Sequence, residues 1–319
     1  MHIVVLGAGA IGSVYGARLS TAHDVTLLTR SAHAEAINRD GLRITGAEER
    51  TYHVHAATTI DRIEPDTLIV LTTKVSDSEQ AIRSIAALLQ SDTVILCVQN
   101  GLYSEDLAKA AAGNRCQVLR AITHFGAIFQ VPGHVELKVA GYTAIERGPQ
   151  PAVAEAIAEA FSACGLDGRV TDRIADEMWR KLIVNCVINP INAMTRTEVG
   201  AIADDRLRPL KQLIVDECVA VARADGIVLD GDLVTAIDRQ YGPSRNLSSM
   251  QQDLLKGRRT EIDYLNGAVV RLGEKYGVAC PVNQALTMIV KELERGGHIG
   301  PPLHGASAAN GGTHSPRSS

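Results

Sequence analysis

The N-terminal region carries a glycine-rich turn directly after a short apolar strand. Four apolar residues, Ile3 to Leu6, lead into Gly7-Ala8-Gly9-Ala10-Ile11-Gly12, and a helical pattern follows. In such a strand-to-helix turn the first glycine permits the tight bend, the second lets the backbone approach a pyrophosphate, and the third lets the helix pack closely on the strand. The unpaired N–H groups at the helix start would then face the anion. The alternative is a tight turn whose glycines have no ligand.

The first half of the chain alternates apolar runs with helical patterns. Predicted strands are His2–Leu6, Val25–Thr29, Leu68–Leu71, Val94–Val98 and Val118–Thr123, and predicted helices are Gly12–Ser20, Ser31–Asn38, Ser78–Gln90 and Ser104–Ala112. Apolar strands that alternate with helices indicate a parallel sheet covered on both faces. We therefore predict an α/β protein with an N-terminal, Rossmann-type, doubly wound parallel sheet over residues 1–170.

Two segments of this half differ from the rest. Gly41–Ala56 and Gly126–Glu146 contain glycines and alternating residues, a pattern typical of antiparallel strands. We expect them to be added at the edge of the sheet, with a turn near Val131-Pro132-Gly133.

The second half changes in character near Gly165–Thr171. From Asp172 to about Arg295 the pattern is almost wholly helical, which predicts an all-helical second domain over residues 171–295. A length of 319 residues suits two domains. Residues 296–319 are rich in Gly, Pro, Ser, Ala and His, and we expect a disordered tail because they cannot bury enough apolar surface to offset chain entropy.

The composition argues against several classes of protein. A formal net charge of −4 and 3% aromatic residues disfavour a nucleic-acid binder, which needs a basic face and stacking rings. No apolar run reaches the roughly 18 residues of a membrane span, and Gly7 interrupts the leader that a secretory signal would need. Six cysteines without a CxxC spacing predict reduced thiols in a cytoplasmic protein with no metal site. A two-domain protein with an apolar helical half is compatible with a homodimer, but the sequence indicates no interface.

The end of the second strand bears on the choice of dinucleotide. An NAD site normally has a carboxylate there to bind the ribose hydroxyls, but this strand ends Leu27-Leu28-Thr29-Arg30-Ser31. A guanidinium can bind a 2′-phosphate through charge-assisted hydrogen bonds, which a carboxylate would repel. Arg30 therefore favours NADP(H). The alternative is that Arg30 is an ordinary surface arginine.

Two further polar residues follow strands of the same sheet. Lys74 comes after Thr72-Thr73, and Asn100 lies in Gln99-Asn100-Gly101. Ligands of open α/β sheets bind at the carboxyl ends of the strands, so Lys74 could reach a phosphate or a substrate carboxylate, and Asn100 a ribose or the reacting group. Each could equally be a solvated lysine or a turn asparagine.

A stripe of polar residues marks the first helix of the second half. Lys181, Asn185 and Asn189 recur four residues apart in a segment that is otherwise strongly apolar, so they share one face of a largely buried helix. Buried polar groups normally have a partner or a ligand, and a lysine with two amides suits a small acid with a carbonyl or hydroxyl group. We expect Pro190 to break or kink this helix at Asn189. The alternative has Lys181 reaching water and the asparagines bonding backbone.

Further along, Asn246-Leu247-Ser248-Ser249-Met250 precedes Gln251-Gln252-Asp253, a pattern typical of a helix N-terminus with a capping box. Capping is the simplest role for Ser248 and Ser249. The charged segment Arg258–Gly267 is predicted to continue that helix.

Taken together, these residues resemble the ketopantoate reductase (2-dehydropantoate 2-reductase) family over about residues 1–295. The resemblance is carried by the glycine turn Gly7–Gly12, by Lys74 and Gln99–Gly101, and above all by the block from Trp179 to Pro190 with the later Ser248–Met250 and Arg259–Asp263. It implies the NADPH-dependent reduction of 2-dehydropantoate to pantoate, in pantothenate biosynthesis.

The resemblance also implies residue roles. Lys181 is the general acid, and Asn185, Asn189 and Ser249 contact the substrate. Glu261 helps to hold the cofactor and the catalytic groups, Asn100 bridges cofactor and substrate, and Gly126 contacts the cofactor through its backbone. A family asparagine that precedes a glycine is replaced here in Val199-Gly200, so another 2-keto acid is an alternative substrate. A non-catalytic NADP(H)-binding sensor is the alternative from a different class, disfavoured by the presence of Lys181 and Glu261.

Overall fold

Residues 1–296 are described by a computed structural model of the protein. Apart from Gly296, the tail predicted at 296–319 lies outside the described residues. The strands are β1 (His2–Leu6), β2 (Asp24–Leu28), β3 (Leu42–Gly46), β4 (Arg50–Tyr52), β5 (His55–Ala57), β6 (Leu68–Leu71), β7 (Val94–Cys97), β8 (Gln117–Thr123), β9 (Gly126–Val131), β10 (His134–Val139), β11 (Thr143–Glu146) and β12 (Gly168–Thr171).

The α-helices are α1 (Ala10–Leu19), α2 (Ser31–Asp40), α3 (Val75–Ile85), α4 (Ser104–Ala112), α5 (Pro151–Ala163), α6 (Ile174–Thr195), α7 (Arg208–Ala224), α8 (Leu233–Tyr241), α9 (Ser249–Leu255), α10 (Asn266–Tyr276) and α11 (Pro281–Arg295). Short 3-10 helices cover Ala86–Leu88, Val199–Ala203, Asp205–Leu207 and Ile262–Tyr264. Within the described residues, no helix combines the length and apolar character that crossing a membrane requires.

The main sheet has the strand order β12-β11-β8-β7-β6-β1-β2-β5. Its six strands from β8 to β5 run parallel, which confirms the predicted doubly wound sheet, and β11 joins antiparallel to β8. The chain moves from β1 to β2 on one side and later to β6 on the other, so β1 and β6 flank the point where the winding reverses. Ligands of such sheets bind at this point, beside the carboxyl ends of the strands.

The predicted edge strands form a second sheet instead. The strands β4, β3, β10 and β9 make a separate four-stranded sheet in that order, and β10 pairs parallel with β3 although the two lie far apart in the chain. Only β5 and β11 from the two segments join the main sheet. The reason is packing: Leu42, Ile44, Val135 and Leu137 are buried in one core with Val14 of α1, so this sheet covers α1. The turn predicted at Val131–Gly133 does join β9 to β10.

The helical half is built around α6, which lies in a core shared with α7, α9, α10 and α11. Pro190 was expected to break or kink the helix at Asn189, and the break is not found: the helix continues through Pro190 to Thr195. A proline frees the carbonyl four residues earlier, here that of Cys186. The buried side chain of Asn266 donates to this carbonyl at 3.0 Å, so the carbonyl is satisfied by a side chain and the helix can go on.

One other expectation for the helical half was wrong. Arg258–Gly267 does not continue α9, because Gly257 adopts a φ of +60° and Arg258 N–H bonds back to the carbonyl of Asp253 at 2.8 Å, which is the hydrogen bond of a Schellman helix end. In the first half, strand β12 (Gly168–Thr171) at the edge of the main sheet was not among the predicted strands. The cap was predicted correctly: Ser248 Oγ accepts from Gln251 N–H. All six cysteines are free, and all but the half-buried Cys116 are buried.

Candidate active site between the sheet and the helical domain

The glycine turn lies where β1 and β6 meet the start of α1. Gly7 has a φ of +99°, and a Cβ added at Gly12 would lie 2.4 Å from Thr72 Oγ1 and 2.8 Å from the carbonyl of Gly7. Thr72 Oγ1 donates to that carbonyl at 3.0 Å. The turn therefore has the tight bend and the close helix-to-strand packing that the sequence predicts, and its helix begins at Ala10.

Arg30 lies beside this turn. The carbonyl of Leu28, the last residue of β2, accepts hydrogen bonds from both Gly7 N–H and Ala8 N–H, at 3.0 and 2.9 Å. Thr29 Oγ1 donates to the carbonyl of Ala8 at 3.2 Å. Arg30 is the next residue, with an exposed side chain at the start of α2. A guanidinium therefore stands at the end of β2, where a carboxylate would be expected for NAD.

A small pocket lies between the ends of β7 and β8 and the first turns of α6. It is lined by Gln99, Asn100, Gly101, Arg120, Ile122, Met178, Lys181 and Leu182. The two halves approach closely here: a Cβ added at Gly101, in the first half, would lie only 2.4 Å from the carbonyl oxygen of Tyr264, in the second. Lys181 and Asn100, which sequence analysis selected independently, thus face one space.

Lys181 is the cationic group that the helical half contributes to this pocket. Its Nζ donates to the backbone carbonyl of Thr123 at the end of β8. The pKa of Lys181 is lowered from 10.5 to about 7. Burial is the main cause, the nearby positive charge of Arg120 adds to it, and the carboxylate of Glu261 acts in the opposite direction. A lysine with this pKa exchanges a proton readily near neutral pH.

Glu261 and Lys74 lie where the two halves meet. Burial raises the pKa of Glu261, whereas the positive charge of Lys74 and hydrogen bonding to the side chain of Asn100 lower it. Lys74 Nζ contacts Asp253 Oδ2 at 2.7 Å and donates to the carbonyl of Arg259 at 2.6 Å. Lys74 therefore connects the end of β6 to the segment around α9, a contact that the sequence did not indicate.

The other site residues predicted from the sequence lie on α6, α9 and β9. Asn185 and Asn189 follow Lys181 on the same helix at four-residue intervals, and Asn189 is buried. The Nδ2 atom of Asn185 is buried without a hydrogen-bond partner among the described residues. Ser249 is exposed as the first residue of α9, and Gly126 begins β9 in the second sheet.

Val199 is buried in the core of the helical domain, at the start of a 3-10 helix. Its N–H donates to the carbonyl of Asn246 at 2.8 Å. The chain segment that contains Val199 is therefore tied to the residues that precede α9. An apolar side chain at this position packs in the domain core.

Arg120 was not among the site residues predicted from the sequence. This residue of β8 is only 3% exposed, yet its guanidinium lines the pocket beside Lys181. The available signal was a lone charged residue inside the otherwise apolar run Val118-Leu119-Arg120-Ala121-Ile122. Charged side chains are almost never fully buried unless they are paired.

A parallel sheet with a glycine-rich turn, and a helical C-terminal region that brings a lysine to the strand ends, are the features of a Rossmann-type oxidoreductase. Residues 3–150 match the family model described as "Ketopantoate reductase PanE/ApbA", and residues 173–294 match the model of its C-terminal part. The chain therefore belongs to the ketopantoate reductase family.

Individual relatives agree with this membership. The chain is 36% identical over 299 residues to the 2-dehydropantoate 2-reductase of Pyrococcus horikoshii, covering 92% of this chain and 98% of that protein. It is similar in structure to a PanE/ApbA family ketopantoate reductase from Ralstonia eutropha, with a TM-score of 0.85, 30% identity, and coverage of 93% of this chain and 99% of that one. A D-mandelate dehydrogenase with NADH and anilino(oxo)acetate gives a TM-score of 0.85 at 29% identity and the same coverage.

Proposed function

We propose that the protein reduces 2-dehydropantoate to pantoate with NADPH, a step of pantothenate biosynthesis. The observation that carries the proposal is the position of Lys181, which reaches from the helical domain to the ends of strands in the sheet that carries the glycine turn. The names of the relatives support the same reaction. When bound, the nicotinamide supplies the hydride that reduces the carbonyl carbon.

The residues of the glycine turn fit a dinucleotide. A Cβ at Gly12 has no room, whereas one at Gly9 would meet only the carbonyl of Gly7, at 3.9 Å. The backbone of Gly7-Ala8-Gly9-Ala10-Ile11-Gly12 is therefore packed on its inner side and open on the other, where the first N–H groups of α1 can receive a pyrophosphate. Arg30 would bind a 2′-phosphate, which supports NADPH over NADH. Gly126 would contribute a backbone contact to the cofactor.

Lys181 would supply the proton to the ketone oxygen. Reduction of a ketone builds alkoxide charge on that oxygen, and a positioned ammonium both stabilises the charge and neutralises it by proton transfer. The lowered pKa of Lys181 suits this role, because it weakens the N–H bond that must break while keeping a substantial protonated fraction near neutral pH. To bond to the ketone oxygen, Lys181 would give up its hydrogen bond to the carbonyl of Thr123.

Glu261 and Asn100 would hold the reacting groups in place. The carboxylate of Glu261 favours the charged form of Lys181, and Asn100 lies between Glu261 and the pocket. Because Asn100 follows a strand of the cofactor-binding sheet, its amide can bond to both cofactor and substrate. Lys74 would hold the two domains together through Asp253, or release that contact to bind the cofactor.

Asn185, Asn189 and Ser249 would bind the substrate. The unpartnered Nδ2 of Asn185 supports this role, since a buried amide donor without a partner costs free energy unless a ligand satisfies it. Asn189 extends the same polar stripe by one turn. Ser249 would bind from α9, at the exposed end of the cleft.

A different 2-keto acid is the second candidate substrate. It is favoured by the similarity to D-mandelate dehydrogenase and by the apolar Val199 where the family has an asparagine. The acid reduced by this alternative would carry a bulkier or more apolar side chain than 2-dehydropantoate.

The consumption of NADPH, measured by absorbance, tests the proposal. The purified protein would be given 2-dehydropantoate and, in parallel, phenylglyoxylate, the keto acid that corresponds to mandelate. We expect a higher kcat/KM for 2-dehydropantoate. A higher value for phenylglyoxylate would favour the second candidate, and no NADPH consumption with any 2-keto acid would contradict the proposed function.

A further inference from the structure

Arg120 stands out as a buried cation that faces the candidate active site. Side chains alternate between the two faces of a strand, so Arg120 and Ile122 share one face of β8, whereas Leu119 and Ala121 point into the core on the other. The face of Arg120 and Ile122 is the one that lines the pocket below α6. The guanidinium is therefore buried within the cleft between the domains.

The hydrogen bonds of Arg120 hold the side chain in place and leave part of it unsatisfied. Its Nη2 donates to the carbonyl of Gln99 at 2.6 Å and to that of Gly101 at 2.9 Å. Its Nη1 forms an ion pair with Glu105 Oε2 at 3.6 Å, a distance too long for a hydrogen bond, so the charge of Arg120 is partly balanced while this N–H group stays without an acceptor. Among the described residues, neither Nε nor Nη1 has a hydrogen-bond partner, although both atoms are buried.

These unpaired donors raise the free energy of the protein when no ligand is bound. Buried donors that lack a partner lose their hydration without replacement. A second cation, the ammonium of Lys181, lines the same pocket, so the two positive charges also repel each other. An anion in the pocket would relieve both costs, and a guanidinium is well suited to a carboxylate because it offers several N–H donors in a plane.

We propose that Arg120 binds the carboxylate of the substrate and thereby orients the adjacent ketone oxygen towards Lys181. This inference rests on the proposed function, since it concerns the 2-keto acid that the same site would reduce. In a 2-keto acid the carboxylate is bonded directly to the ketone carbon. One cation can therefore bind the acid while the neighbouring one protonates the ketone. Arg120 would make the enzyme selective for 2-keto acids over neutral ketones.

Binding to the NADP⁺ complex tests the proposal independently of turnover. Calorimetry would compare 2-dehydropantoate with its neutral lactone, for wild type, Arg120→Lys, Arg120→Met and, as a matched control, Arg115→Met. Arg115 is an exposed arginine whose Nη1 donates to the carbonyl of Ala86. For Arg120→Met we expect the Kd of the acid to rise about 10- to 150-fold, the equivalent of about 1.5–3 kcal/mol. The Kd of the lactone should change little.

The variants separate a role in binding from a role in structure. General damage to the loop Gln99–Gly101 would weaken acid and lactone alike and also weaken NADPH binding. Arg120→Lys keeps the charge, so it should recover part of the preference for the acid. Equal losses for acid and lactone in Arg120→Met, or no loss for either, would overturn the proposal.

A measurement on the wild type covers the case in which Arg120→Met does not fold. Pantoate and its uncharged amide differ mainly in the carboxylate, and we expect the amide to bind at least about tenfold more weakly. Equal binding of the two would overturn the role of Arg120. If the wild type instead preferred the acid but reduced no 2-keto acid, the proposed function would fail while the carboxylate site stood.

Discussion

The ammonium group of Lys181, on α6 of the helical domain, donates a hydrogen bond to the backbone carbonyl of Thr123, at the carboxyl end of β8 in the cofactor-binding sheet. This contact spans the cleft and brings the proposed proton donor to the edge of the sheet where a nicotinamide would lie. Arg120, three residues earlier on β8, adds a second positive charge to the same pocket. The proposed chemistry depends on these two cations and on Glu261, whose carboxylate favours the charged form of Lys181.

The pH dependence of kcat/KM should report the pKa of Lys181. Because Lys181 must be protonated to act, and its pKa is lowered to about 7, kcat/KM should be constant below that pH and fall about tenfold per pH unit above it. In Glu261→Gln the loss of a neighbouring negative charge should shift this fall in kcat/KM to lower pH. A fall that begins only near the ordinary pKa of a lysine, or one that Glu261→Gln shifts to higher pH, would contradict the assignment of Lys181 as the general acid.

Arg30→Ala should weaken the binding of NADPH but not that of NADH. Loss of a charged hydrogen bond of about 1.5–3 kcal/mol corresponds to a roughly 10- to 150-fold rise in the Kd of NADPH. Fluorescence titration with both cofactors would measure it. Arg39→Ala, an exposed arginine on the same helix α2, is the matched control. If both cofactors lost affinity equally, Arg30 would not be recognising the 2′-phosphate.

Asn266→Ala should destabilise the helical domain. The side chain of Asn266 bonds to the carbonyl of Cys186, which Pro190 leaves free, and to Asn283 Oδ1. The variant leaves the buried carbonyl of Cys186 unpaired and leaves Asn283 Oδ1 with only the weak donor Cys218 Sγ, at 3.8 Å. This loss should cost about 1–3 kcal/mol of unfolding free energy, measured by denaturant titration. Gln212→Ala, which removes an exposed amide on α7, should cost less than about 0.5 kcal/mol. Equal effects of the two variants would show that Asn266 does not support α6.

The parallel sheet and the glycine turn could be predicted because both leave local patterns. An apolar strand, a turn with fixed glycine positions and a helix occur within the first 20 residues, and each element constrains the next. The polar stripe on α6 was visible for the same reason, since four-residue spacing alone puts Lys181 and Asn185 on one face.

What the sequence did not reveal depends on residues that meet only in three dimensions. The second sheet needs β3 to pair with β10, far along the chain, and α1 to accept a sheet on its outer side. Pro190 stays inside a helix because Asn266 happens to face the freed carbonyl. Arg120 is recognised as a site residue only in the folded protein, where β7, α4 and α6 surround it. Its position as a lone charge inside an apolar strand was the one indication in the sequence.

The most direct test of the account is the turnover of Lys181→Ala with NADPH and 2-dehydropantoate, with Lys109→Ala, an exposed lysine on α4, as the control. Loss of a general acid should reduce kcat by about 10²- to 10⁴-fold, while the Kd of NADPH stays at the wild-type value and Lys109→Ala remains active. A Lys181→Ala variant that binds NADPH and reduces the keto acid at a rate near that of the wild type would contradict the assignment of Lys181 as the proton donor.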